Sequence, residues 1–339
     1  MEFSAPRTRP ILRAVTSSTR PLYQLLKAIS FTNKVHVEIT SNGLRFAADH
    51  ARVMQGVAHW SKPLFTSYTT NLPAPPTQDD DEDSDSEPSV PSFQISLPAL
   101  LETLQIFGAN DAAARQLKSE TDPYRSKLPG YKSDAFSSHV IGMIDTCSLS
   151  YTAEGEPFSV VLQETGVKTT CNLITYVPEV PDDIPFDVED LSFKIITQAR
   201  VLLDVLAEIG PSQPEKLTIT TSRREPYLQL SSSGGLGSSS VDFANGKELL
   251  ETFTVREKWK QTFKFDMIKS ASEAMKIASK VSIRGDKQGV LSMQFMVEVE
   301  GAGLSFLDFR FVPYAENDDE YEKGEDEEEE DEEGEGEEL

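Results

Sequence analysis

The chain has 339 residues, 38% of them hydrophobic, and a formal charge of −24, enough chain for two domains with sizeable cores. The acid is concentrated: 17 acidic residues and one lysine lie between Glu316 and Leu339, and seven acids without a base between Asp79 and Glu87, so −24 less −23 leaves a body near −1 that can still touch a polyanion. Two cysteines, Cys147 and Cys171, in alternating runs point to buried thiols and a reducing compartment rather than a disulfide framework or a zinc site, and the lack of a long apolar window or signal-like leader predicts a soluble intracellular protein with no membrane contact.

In chain order, the first predicted helix carries Leu22, Leu25, Leu26 and Ile29 at i, i+3, i+4, i+7 spacing, which puts four apolar side chains on one stripe. Val35, Val37 and Ile39, then Leu44 and Phe46, alternate with period two and predict strands joined by a hairpin at Asn42-Gly43. Residues 73–91, with five prolines and the acid run, read as a disordered insert. The second helix carries Leu97, Leu100, Leu101 and Leu104, and a second disordered insert is expected over 111–139. Val177 to Asp190, with Pro178, Pro181 and Pro185, reads as an interdomain connector. A third helix carries Leu202, Val205, Leu206 and Ile209. A weaker fourth carries Phe265, Ile268, Ala271, Ser272, Met275 and Ser279, followed by strands from Val281 and Ile283 to a turn at Gly285–Gly289 and on to Phe295.

Helix followed by strands, four times over, is a repeat. The expected fold class is α+β, with two similar domains over 1–176 and 191–315, each holding two helices on one face of antiparallel sheets. Residues 316–339 form an acidic tail expected to be disordered.

Away from the leucine stripes, Arg20 and Lys27 project together from the first helix, and Lys269, Lys276 and Lys280 form a row beside the fourth. Such rows suit either a solvated face or phosphate contact in a channel. Glu102 and Asp204 take comparable exposed positions on the second and third helices and Glu273 interrupts the lysine row, so the expected grip on DNA is weak.

Leu26-Lys27-Ala28-Ile29-Ser30-Phe31, then Thr40 to Phe46, then Lys280-Val281-Ser282-Ile283-Arg284 leading into Gly289 to Val297, resemble the Rad-one type subunit of the heterotrimeric DNA-damage checkpoint clamp, the nine-one-one complex. That family is related to the replication clamp, proliferating cell nuclear antigen, and Ser231 to Gly237 is similar to a strand-and-turn region of the latter. The resemblance covers about Ile11 to Pro313. It implies a nuclear, non-catalytic subunit that joins two other clamp-like subunits in a ring around duplex DNA, opened by an ATP-dependent clamp loader and serving checkpoint signalling and repair. It also implies two different interface edges, Lys168 to Tyr176 (Lys168, Thr170, Asn172, Ile174, Tyr176) and Tyr227 to Phe243 (Tyr227, Gln229, Ser231, Ser239, Val241).

Two other classes remain open. A metal-dependent exonuclease needs converging acids, whereas Asp145, Glu154, Asp204 and Asp242 lack a recognisable spacing, as do His36, His50, His59 and His139, and no cofactor motif is present. An acidic chaperone for basic proteins is the reading that the tail alone supports. Ser84, in Ser84-Asp85-Ser86-Glu87, fits the pattern of acid-directed kinases.

Overall fold

Burial of the predicted stripes organises the fold. The computed structural model describes residues 9–72, 90–108, 146–164, 167–178, 183–244, 246, 249–299 and 301–315. Most of the 73–91 insert, all of 111–139, Ser84, Asp145, His139 and the tail from Glu316 lie outside them.

Helix α1 (Arg20–Ala28) buries Leu22, Leu25 and Leu26 and ends at buried Ile29. Helix α2 (Leu97–Gly108) buries Leu97, Leu100 and Leu104, with Thr103 completing the stripe and Leu101 only half-buried. Helix α3 (Ala199–Ile209) buries all four expected residues and Ala199. The fourth helix divides into α4 (Phe265–Ser270) and α5 (Ser272–Ile277), with Phe265, Ile268, Ala271, Ala274 and Met275 in the core. Its break has a local cause: the hydroxyls of Ser270 and Ser272 donate to the carbonyls of Asp266 and Lys269, competing with the helical ladder. Ser272 is consequently half-buried and Ser279 exposed, outside the stripe expected for them.

Nineteen strands among the described residues form three antiparallel sheets. A five-stranded sheet has the order β5 (Ser67–Thr70), β1 (Leu12–Thr16), β7 (Thr146–Tyr151), β8 (Phe158–Glu164), β9 (Val167–Leu173). A four-stranded sheet has the order β14 (Gly237–Phe243), β13 (Leu228–Gly234), β12 (Pro214–Thr221), β16 (Trp259–Lys264). A ten-stranded sheet draws strands from both halves of the chain and joins them. It begins with β10 (Thr175–Tyr176), β6 (Ser92–Ser96), β2 (Lys34–Thr40), β3 (Gly43–His50) and β4 (Met54–Ser61), and continues with β19 (Gly303–Phe311), β18 (Leu291–Val299), β17 (Lys280–Asp286), β11 (Leu191–Gln198) and β15 (Leu250–Val255). The seam is β4 against β19, from Met54 opposite Phe311 to Ala58 opposite Leu307.

Alternation places Val35, Val37, Ile39, Leu44 and Phe46 in the core, as period two requires. The hairpin is displaced by one residue from its expected place. Thr40 pairs with Gly43, so Ser41-Asn42 is the two-residue loop. Gly43 has φ +145°, and a Cβ there would lie 2.2 Å from the Trp60 carbonyl oxygen, which is why glycine occupies the first strand position. Cys147, in the middle of the five-stranded sheet, is buried, and burial pushes its thiol up to about 12; Cys171 on β9 is half-buried beside Thr103, and both are free.

Gly285 on β17 is the tightest point of the core in the second half. A Cβ there would meet the Phe193 ring at 2.3 Å and the Trp259 ring at 2.7 Å, two buried aromatics that already lie edge-to-face at 4.8 Å. Gly285→Ala is expected to destabilise the chain by about 1–3 kcal/mol through overpacking. A urea titration checks this, with the midpoint lowered and the slope unchanged.

Candidate nucleic-acid interface and subunit edges

The helices stand in one row: α2 packs on α1, α1 on α5, and α5 on α3. Elements from the two halves of the chain thus meet at the centre, where α1 touches α5. Arg20 opens α1 and is exposed. Lys27 is half exposed on its last turn, and its ammonium lies 3.6 Å from Glu273 on α5. The second Glu273 oxygen is 2.5 Å from Lys276. Glu273 therefore serves both lysines, and the Lys276 hydrogen bond holds its carboxyl below the usual range, with Lys27 adding to the effect. Lys269 is exposed beside the Phe265 ring.

Of the five expected DNA-facing residues, four share this row. Lys280 does not belong to the fourth helix. It begins β17, and its ammonium holds Glu251 at 2.7 Å. The helix ends at Ile277 because the backbone turns extended at Ala278 (ψ 144°), so three residues of further helical spacing carry no meaning there.

The two expected edges are resolved into parts. Lys168, Thr170 and Asn172 are exposed on β9, which has β8 as its one partner in the sheet. Ile174 and Tyr176 belong to a separate stretch: after Leu173 the chain changes sheets, and β10 pairs with β6, with Lys34 over the Tyr176 ring at 4.3 Å. In the second half, Ser239 and Val241 lie on β14, an edge. Gln229 and Ser231 lie on β13, whose backbone is paired on both sides, and Tyr227 just before it packs edge-to-face on Phe253. Among the edges of the three sheets, β9 and β14 are the longest at seven residues each. Long, unpaired edges are sites of strand addition.

The stretch from Asp183 to Asp190 is tied across the ten-stranded sheet. Asp183 accepts from Arg45 at 2.8 Å and Gln55 at 3.1 Å, and Arg45 also holds Glu38 at 3.0 Å. Buried Ile184 takes an Arg310 hydrogen bond on its carbonyl. Phe186 lies under the Arg284 guanidinium at 5.6 Å, the Asp187 amide reaches Asp286, and Asp190 holds Lys287 at 2.7 Å. Between this strap and the sheet is a charged cleft of about 150 Å3, lined by Arg45, Gln55, His59, Asp308 and Arg310.

These features meet a known family. The family described as repair protein Rad1/Rec1/Rad17 matches residues 11–297. The chain belongs to that family.

The Rad1-family chain is 29% identical over 304 residues to "DNA damage checkpoint control protein rad1" of Schizosaccharomyces pombe, covering 89% of this chain and 86% of that one. It is 28% identical over 302 residues to "Cell cycle checkpoint protein RAD1" of Homo sapiens, covering 89% and 91%. Solved structures of the PCNA of Thermococcus kodakaraensis and of a PCNA2–PCNA3 complex from Sulfolobus tokodaii share its fold, with TM-scores of 0.59 and 0.61 at 15% identity, over 89% and 90% of this chain and all of theirs. The fold is therefore the α+β clamp fold that the resemblance implied.

The described acids of the exonuclease reading, Glu154, Asp204 and Asp242, do not converge in this Rad1-family fold, and Asp145 lies outside the described residues. Glu154 is exposed in the β7–β8 turn, Asp204 pairs with Arg200 on α3, and Asp242 accepts from Gln229 at the β14 edge. Among the described residues no group of three or more His, Cys, Asp or Glu is placed to hold a metal ion, and no helix is long and apolar enough to cross a membrane. His36 is buried beside Glu38, while His50 and His59 are exposed.

Sequence reasoning missed the strap's anchors, Arg45, Gln55, Arg284 and Arg310, because each stands in an alternating strand as an unremarkable outward polar residue. The signal was the pair of acids, Asp183 and Asp190, bracketing Ile184 and Phe186. Asp183→Ala removes a half-exposed ion pair and leaves the buried Gln55 amide without this acceptor, so global stability should fall by about 1–2 kcal/mol. Hydrogen exchange at the Ile184 amide, which donates to Gln55, should also quicken several-fold, which mass spectrometry of a peptide that begins at or before residue 182 reads.

Proposed function

We propose that this chain is a non-catalytic, nuclear subunit of a three-membered ring that encircles duplex DNA and acts as a platform at damaged sites. The carrying observation is the single row of helices, drawn from both halves of the chain, with Arg20, Lys27, Lys269 and Lys276 on its exposed side. The boundaries 1–176, 177–190 and 191–315 describe its two clamp domains and their connector.

Two different long edges, β9 and β14, give one subunit two unlike ends. Unlike ends make heterologous contacts, and such contacts close into rings when the rotation is right. Lys168, Thr170 and Asn172 would pair with one neighbour, and Ser239 and Val241 with the other. The S. pombe and human relatives are named as checkpoint proteins, which supports a role in damage signalling for this chain. A closed ring cannot thread onto an internal stretch of duplex, so the ring has to be opened, and the resemblance implies an ATP-dependent loader for that step.

The grip on DNA is electrostatic and weak, because Glu273 neutralises part of the row. Retention is topological instead. In the assembled ring, alanine at Arg20, Lys27, Lys269 and Lys276 together is expected to reduce the slope of log K against log salt by up to about 3.6, at roughly 0.9 per lost phosphate contact. Lys280→Ala should leave the slope unchanged, and Glu273→Gln should steepen it by freeing two lysines. Fluorescence anisotropy on a short linear duplex, onto which the ring can thread from an end, measures all three over a salt series. Equal slopes would place these residues on an ordinary solvent face.

Light scattering of the pure chain should show a monomer at micromolar concentration, and a stoichiometric heterotrimer with two clamp-like partners. A stable homotrimer of this chain alone would overturn the heteromeric reading.

A further inference from the structure

On the four-stranded sheet, the faces of β12 and β16 that point away from the core carry an unusual arrangement. Leu217, Ile219 and Phe263 point inward and are buried, so Lys216, Thr218 and Thr220 on β12 and Lys260, Thr262 and Lys264 on β16 share the outer face. The register puts Lys216 directly opposite Lys264, Thr218 opposite Thr262, and Thr220 opposite Lys260. The two threonine hydroxyls bond at 2.9 Å.

Like charges facing each other across a strand pair are destabilising. Here they are also uncompensated: all three lysines are exposed, and among the described residues none has a carboxylate within ion-pair distance. By contrast Lys276, Lys280 and Lys287 each hold an acid. A face built this way lacks its counter-charge.

The chain supplies one at the same place. After β19 it runs beside β16, where the Tyr314 amide donates to the Thr262 carbonyl at 2.8 Å and the Tyr314 ring lies 5.6 Å from the Lys216 ammonium. Two residues later begins the segment Glu316–Leu339, with 17 acids against one lysine. Extended, its 24 residues could reach about 80 Å, whereas Lys260 and Lys264 stand about 13 Å apart along one strand. Tethered at the edge of the face, the segment is present there at an effective concentration on the order of millimolar. A neighbouring cleft of about 410 Å3 between Gly210, Lys264 and Tyr314 also presents Glu215 and Asp266. Those carboxylates disfavour an acidic occupant, which leaves the strand face as the docking ground.

We propose that the acidic segment Glu316–Leu339 docks on the Lys216, Lys260 and Lys264 face of its own chain, an internal polyanion that keeps nucleic acid off this sheet. It is independent of the ring reading, since it concerns the isolated chain. It gives the acidic segment a defined job: with its lysines covered, this sheet face no longer competes with the helix row for duplex.

Zero-length carbodiimide coupling of the intact, dilute chain tests the contact. Amide links from carboxylates of 316–338 should fall on Lys216, Lys260 and Lys264. Links that fall on Lys269 and Lys276, or that spread over lysines such as Lys194 and Lys258 in proportion to exposure, would overturn it. A full-length variant with the 17 acids of that segment changed to Asn or Gln provides the second arm. It should bind labelled poly-glutamate at least about tenfold more tightly than the natural chain, and adding Lys216→Gln, Lys260→Gln and Lys264→Gln should abolish the gain. Circular dichroism confirms that each variant is folded. Equal poly-glutamate binding by the natural and neutralised chains would also sink the proposal.

Discussion

The pairing of β4 with β19 is the constraint from which the remaining geometry follows. Each strand has a row of buried backbone donors and acceptors that need partners, and the two halves of the chain supply them to each other over Met54–Ala58 and Leu307–Phe311. The seam turns two smaller sheets into one of ten strands and brings α1 beside α5, with Phe31 near Phe309 at the join. It also dictates the path between the halves. In strand order β10 is first and β11 ninth, eight steps of about 4.8 Å, or roughly 38 Å. The fourteen residues from Val177 to Asp190 span about 46 Å when fully extended. Of these, the described residues Asp183 to Asp190 are held where they cross the sheet: at Arg45, Arg310, Arg284 and Lys287.

Charge in the helix row is arranged for moderation. Lys27 and Lys276 come from opposite halves of the chain but share one carboxylate, so the two halves are bridged electrostatically at the place where they meet. Pairs this exposed contribute little to stability. Their effect is on the field: three groups present a net charge of about +1 rather than +2, while Arg20 and Lys269 stand farther out. A surface of this strength attracts phosphate without immobilising it, which suits the ring proposed above.

Much of this was legible in the sequence because core packing leaves periodic marks. The leucine stripes of α1 and α3 are buried residue for residue, since a helix with one apolar face has one way to hide it. Alternation located β2, β3, β17 and β18 for the same reason. What escaped was decided by partners remote in sequence. Nothing local marks β4 and β19 as mates, and nothing in Leu173-Ile174-Thr175 announces that the chain leaves one sheet for another. Lys280 keeps helical spacing past the true helix end, and Gln229 and Ser231, which the resemblance implies for an edge, stand on β13, flanked on both sides. Polar side chains report exposure of a face, not of a backbone edge.

The two thiols of the five-stranded sheet turn that sheet into its own chemical gauge. Alkylating reagents attack thiolate, and with Cys147 pushed up to about 12 its thiolate at neutral pH is scarcer than that of an unfolded chain by on the order of a thousandfold. It can react at an ordinary rate only when β7 parts from β1 and β8. Cys171 lies half-buried on β9, at the margin of the same sheet. Labelling chemistry therefore separates two events that spectroscopy of the whole chain would merge: Cys147 records the opening of the sheet's interior, while Cys171 records access to its rim.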